Sequence, residues 1–122
     1  MKLTNQQKWF RTLKFLRREF PLAYPVRVRT RCIKDCGDTT FIDGRGAVGG
    51  LFSIRVNGRK PFDSRIDTIL HEWAHAMTWF GADANIEDHG PEWGVAYAKV
   101  YKAHTGWDYG RNEKWKSPGF NE

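Results

Sequence analysis

His71-Glu72-Trp73-Ala74-His75 places two imidazoles and a carboxylate within five consecutive residues. On a helix, residues four apart are neighbours on one face, so His71 and His75 can both reach a single metal ion. Glu72 follows the first of them and can reach a water on that ion and take its proton. The plainer alternative is a helix that carries two polar histidines by chance. The chain has only 4 histidines, which makes this spacing an uncommon accident.

A catalytic zinc keeps three protein ligands and one open position. The helix pair supplies two, and His89, fourteen residues past His75, is the candidate third. That gap is long enough to end one helix, turn and return. Pro91 suits the first position of a new helix, where its missing N–H would be unpaired anyway, so His89 stands just ahead of that helix. Glu92 is a rival ligand, although an acid in a first helical turn is also favoured by the helix dipole. Asp88 is a weaker rival.

With both segments in view, His71-Glu72-Trp73-Ala74-His75 followed by His89-Gly90-Pro91-Glu92-Trp93 resembles the SprT-like (Spartan-related) zinc metalloprotease domain, over about residues 64–105. The resemblance implies one catalytic Zn2+ held by His71, His75 and His89, with Glu72 as the catalytic base. It implies a small α+β, zincin-like domain: an N-terminal helix, a three-stranded antiparallel or mixed sheet, the metal helix, and a following helix that carries the third ligand at its start. It also implies protein substrates on DNA, and so DNA as a partner, single-stranded or with bound protein. Many members of the family carry a C-terminal zinc ribbon or partner-binding tails; no cysteine follows His89 here. Two other readings remain: a non-catalytic DNA-binding module with a structural zinc, and a zincin with an unrelated protein target.

The 122 residues fit one domain, 1–122, with an aromatic and basic tail over 107–122. No stretch has the apolar length of a membrane span, and the N-terminus lacks a signal-peptide pattern, so a cytoplasmic protein with no membrane partner is expected. Cys32 and Cys36 are too few for a disulfide framework or a second metal site and are expected to be free thiols. The balance of 20 Lys+Arg against 14 Asp+Glu fits either a polyanionic partner or an ordinary solvated positive face.

Several elements must position these groups. Thr4 to Phe20 reads as a helix: Thr4 and Gln7 form a capping-box pair, and Trp9, Leu13, Leu16 and Phe20 recur at helical spacing. Tyr24 to Cys32 alternates Val26, Val28 and Thr30 against Arg27, Arg29 and Arg31, the pattern of a half-buried strand. Three guanidinium groups in a row repel unless an anion meets them. A nucleic-acid backbone would serve, and so would Asp35 or Asp38.

Thr39 to Asp43 is a second strand, and the glycine-rich run Gly44 to Gly50 reads as a hairpin connection that could form a moving substrate rim. Leu51 to Val56 is a third strand, closed by the turn signal Asn57-Gly58. In zincins an edge strand beside the metal helix pairs with extended substrate. By resemblance that role falls to Leu51, Phe52, Ser53 and Ile54.

The metal helix is expected to be capped by Asp63 or Ser64 and to run to about Phe80, with Ile66, Leu70, Trp73 and Met77 on its core stripe. Asp67 either accepts from a histidine N–H or is simply a helix-start acid. Gly81 to Gly90 reads as an acidic connecting loop. The last helix spans Pro91 to His104, with Trp93, Ala96, Tyr97, Val100, Tyr101 and a packed His104 on one stripe, and Gly106 ends it. The tail, with Trp107, Tyr109, Trp115 and Phe120 among Arg111, Lys114 and Lys116, either packs back over the core or stacks nucleic-acid bases.

Overall fold

Thr4 opens the first helix, α1 (Asn5–Glu19), through the expected capping box. Its hydroxyl accepts from the Gln7 N–H at 3.1 Å, and Gln7 Oε1 accepts from the Thr4 N–H at 2.8 Å. Two of the backbone donors left over at a helix start are thereby satisfied. The computed structural model describes residues 2–44, 49–79 and 89–111. Beyond α1 it contains β1 (Val26–Arg31), β2 (Gly37–Asp43), β3 (Gly50–Asn57), α2 (Phe62–Met77), α3 (Pro91–Trp107) and a short 3-10 turn at Asp108–Gly110. The architecture is α+β, with three helices and one sheet.

The sheet is mixed. Its order is β1-β3-β2, with β3 parallel to β1 and antiparallel to β2. This corrects the expectation for Leu51, Phe52, Ser53 and Ile54. They lie on the central strand, hydrogen-bonded on both sides, and cannot form a free edge. The reason is apolarity: Phe52, Ile54 and Val56 are all buried beneath the helices, and the strand with the most apolar face takes the most covered place. Asn57 pins the crossing that lets β3 insert between its predecessors. Its N–H donates to the Cys36 carbonyl, and its side-chain amide donates to the carbonyls of Ile33 and Asp35. Cys32 and Cys36, at the two ends of that loop, are exposed free thiols, as expected.

α2 begins earlier than its sequence suggests. Pro61 stands at the N-cap with no side-chain cap, and Asp63 falls inside the first turn. There a carboxylate complements the helix dipole without capping. Ile66, Ile69, Leu70 and Trp73 bury one side of α2 against Phe15 and Leu16 of α1 and Ile54 and Val56 of β3. The Trp73 ring is fully buried, and its N–H donates to the Phe20 carbonyl at 2.9 Å. Trp73→Ala would remove both and cost about 3–5 kcal/mol.

α3 also departs from expectation. Gly106 does not end it; the helix continues to Trp107 and stops at Asp108, whose φ is 49°. Glycine costs about 1 kcal/mol inside a helix. Burial of the Trp107 indole, stacked on Phe15 with centroids 4.3 Å apart, outweighs that. Residues 107–111 therefore belong to the fold rather than to a tail, and 112–122 lie outside the described residues. Burial on α3 follows Ala96, Val100, His104 and Trp107, while Tyr101 is 51% exposed. No helix among the described residues is long and apolar enough to cross a membrane.

His104 is packed, as expected, with its Nε2 3.0 Å from the buried Thr12 hydroxyl. Burial lowers its pKa below the ordinary histidine value. The unfolded chain therefore takes up this proton at a higher pH than the folded one. Stability from this residue is complete above about pH 6.5 and falls as the pH drops below it, by at most about 1.4 kcal/mol per pH unit. Thermal unfolding of metal-free wild type and His104→Gln across pH 5 to 8 should show a steeper acid decline in the wild type. Parallel profiles would contradict this.

Candidate metal centre

The helical period that turns Ile66, Leu70 and Trp73 inward places His71 and His75 on another side of α2, each half-buried. His89 reaches them from the residue before the N-cap of α3. Its φ of 62° is left-handed, a conformation worth about 1–2 kcal/mol against any residue but glycine. Gly90 then caps α3, with Pro91 in its first turn, as the sequence indicates. Strain of this kind is concentrated at functional sites.

The three rings point the same atom at one another. The Nε2 separations are 3.3 Å for His71–His75, 3.1 Å for His75–His89 and 3.1 Å for His71–His89. Each Nε2 carries either one hydrogen or one lone pair, so three mutual contacts cannot all be hydrogen bonds. A cation shared by three lone pairs resolves the conflict. Nitrogens bound at about 2.0–2.1 Å around a tetrahedral ion would stand roughly 3.3 Å apart. The triangle fits that test, and the three histidines lie close enough to bind one metal ion.

Trp93 of α3 backs the cluster. Its ring lies 4.8, 5.4 and 4.7 Å from those of His71, His75 and His89, and its N–H donates to the His71 carbonyl at 3.2 Å. Tyr97 stacks on Trp93 at 5.1 Å and donates its hydroxyl to Asp67. Burial, and then the Asp67 carboxylate, push the Tyr97 pKa well above the usual tyrosine value, so it remains a donor. Asp67 thus accepts from Tyr97, whose ring also meets that of His71 edge-on at 5.8 Å.

Glu72 is buried, and its Oε2 lies 3.9 Å from His71 Nε2. Its other oxygen, Oε1, accepts from the Thr39 hydroxyl at 2.6 Å. Gly37, two residues earlier on β2, allows this approach. A Cβ there would fall 2.5 Å from Thr68 Cγ2 and 2.8 Å from the Arg55 carbonyl oxygen. Thr39, Gly37 and the buttressing role of Trp93 were not legible in the sequence. Thr39 and Glu72 are 33 residues apart, and no local pattern links them.

Of the rival ligands, Glu92 is exposed in the first turn of α3 and does not join the cluster, and Asp88 lies outside the described residues. Arg27, Arg29 and Arg31 lie away from the centre. They register with Ser53, Arg55 and Asn57, which alternate along β3 with the buried Phe52, Ile54 and Val56. Asp38 pairs with Arg55 rather than with any of these three. The pKa of Arg29 is lowered, first by desolvation and then by Arg27 and Arg31. No family model, curated protein or solved structure matches this chain.

Titration of zinc against a chromophoric chelator should give one ion per chain and no stoichiometric binding in His75→Ala. Trp93→Ala should retain one ion with affinity weaker by about 10–100-fold, the usual effect of losing a group that orients ligands. Unchanged affinity in Trp93→Ala would show that the ring packs without holding the ligands.

Proposed function

We propose that this chain is a zinc-dependent endopeptidase of the SprT-like, zincin-like kind, a cytoplasmic enzyme that cleaves proteins associated with DNA. The observation that carries the reading is the convergence of three Nε2 atoms beside a buried carboxylate. A zinc ion bound there supplies a Lewis acid that makes water a nucleophile near neutral pH and polarises the peptide carbonyl.

The chain's own residues do the rest. His71, His75 and His89 hold the ion through Nε2. Glu72 takes the proton of the attacking water on Oε2 and delivers it to the leaving amine. β2, an edge strand among the described residues, replaces β3 as the strand that aligns an extended peptide. Tyr24, Phe41, Asp43 and Trp79 line an open cavity of about 450 Å³ near the end of β2, where a substrate side chain can lodge.

A non-catalytic module with structural zinc would need a fourth protein ligand, and among the described residues the cluster holds three. That favours the enzyme. Association with DNA draws support from the outer sheet face. Arg27, Arg29 and Arg31 make no ion pair with a described residue, and Asp38 is taken by Arg55.

Two measurements test the reading. Wild type should cleave a DNA-binding protein, faster with single-stranded DNA. Glu72→Gln should keep its zinc and lose about 10²–10⁴-fold in rate, the range typical of a general base. Equal cleavage by both would remove Glu72 from the role. Binding to single-stranded DNA should weaken steeply with salt, and replacing Arg27, Arg29 and Arg31 by Gln should lower the log–log slope by up to about 2. A salt-independent interaction, or none, would favour a zincin with an unrelated protein target.

A further inference from the structure

We infer that Thr39 is a positioning residue that divides the work of the two Glu72 oxygens and ties the base to the strand on which substrate would lie. The inference rests on the peptidase reading and goes beyond it. The Thr39 hydroxyl has one proton and two acceptors in reach, Glu72 Oε1 at 2.6 Å and the Glu72 carbonyl oxygen at 3.1 Å. The shorter and stronger contact is to the side-chain oxygen Oε1. Oε1 is thereby held against β2, and Oε2 is the oxygen that faces His71 Nε2. Thr39 is itself well fixed, because a β-branched side chain has few rotamers on a strand. Gly37 keeps β2 close enough to α2 for the bond to form.

The main chain of Thr39 has a second task. Cys36 pairs with Asn57, and Gly44 with Gly49, through backbone hydrogen bonds at the two ends of the β2–β3 ladder. Antiparallel bonding alternates with a period of two. The even-numbered residues between them therefore bond to β3, and Thr39 and Phe41 turn their N–H and C=O groups to the edge of β2 that no described strand pairs. An extended peptide added there would hydrogen-bond to Thr39 directly. One residue then touches the peptide with its backbone and the base with its side chain, which sets the position of Oε2 relative to the peptide.

The test compares wild type, Thr39→Val and Thr39→Ser as zinc-loaded full chains. Thr39→Val keeps the shape and removes the donor. It should lower kcat by about 10–100-fold, the scale of a misplaced catalytic group, with KM within about twofold of wild type and zinc affinity unchanged. Thr39→Ser restores the donor and should recover most of kcat. Crystal structures provide a readout independent of turnover: Glu72 should hold one orientation in wild type and Thr39→Ser, and spread over several in Thr39→Val. Wild-type kcat in Thr39→Val, a raised KM with kcat unchanged, or a Glu72 carboxylate that stays in place without the hydroxyl would each overturn the assignment. If wild type cleaves no protein, the peptidase reading fails, and the orientation of Glu72 in Thr39→Val still decides whether Thr39 positions it.

Discussion

Three imidazole nitrogens held 3.1–3.3 Å apart cannot satisfy one another, and the rest of the structure is organised around that conflict. Each Nε2 offers one in-plane position, so at least one contact in the triangle sets like against like, hydrogen against hydrogen or lone pair against lone pair. Left to themselves, half-exposed rings would rotate apart into water. Their supports hold them together: two stand one turn apart on a helix whose other side is core, and the third stands at a left-handed residue just before the cap of α3. A shared cation turns the same arrangement from unfavourable to favourable. Metal affinity and the placement of α3 against α2 are therefore parts of one balance.

α2 carries three duties on three sides. Trp73 and the apolar positions around it bind the helix to α1 and β3, and the indole N–H fastens it to the end of α1 through the Phe20 carbonyl. His71 and His75 face α3, where Trp93 lies across the rings. Glu72 faces β2, where Thr39 meets its carboxylate. The helical period separates consecutive residues by about 100°, which lets Glu72 and Trp73, adjacent in the chain, lie against different elements. A shift of α2 along its axis would disturb the core, His71 and His75, and Glu72 at once, so the core residues set the precision of the cluster as well as its stability.

What was legible in the sequence was the local part. The ligand spacing, the proline that opens α3 and the capping box at Thr4 all act within one or two turns, and each appears as written. The alternation of valine and arginine placed β1 correctly because its period needs no partner to be read. Order within the sheet was not legible. Nothing in Leu51–Ile54 states that two strands will flank them, and the outer strands of the described sheet are β1 and β2. Helix ends were misread where tertiary burial overrode a local signal, as at Gly106 beside the buried Trp107. Thr39 was hidden for the same reason: its partner lies far along the chain, and only the close approach at Gly37 brings them together.

The three histidines lie close enough to share one metal ion, and X-ray absorption at the zinc K-edge measures directly whether they do. The purified, zinc-loaded chain should show one ion per chain with a first shell of nitrogen and oxygen at about 2.0–2.1 Å, no sulfur, and multiple scattering from three imidazoles. A sulfur shell at about 2.3 Å would move the metal to Cys32 and Cys36. A spectrum with fewer than two imidazoles, or no stoichiometric zinc, would contradict the centre itself.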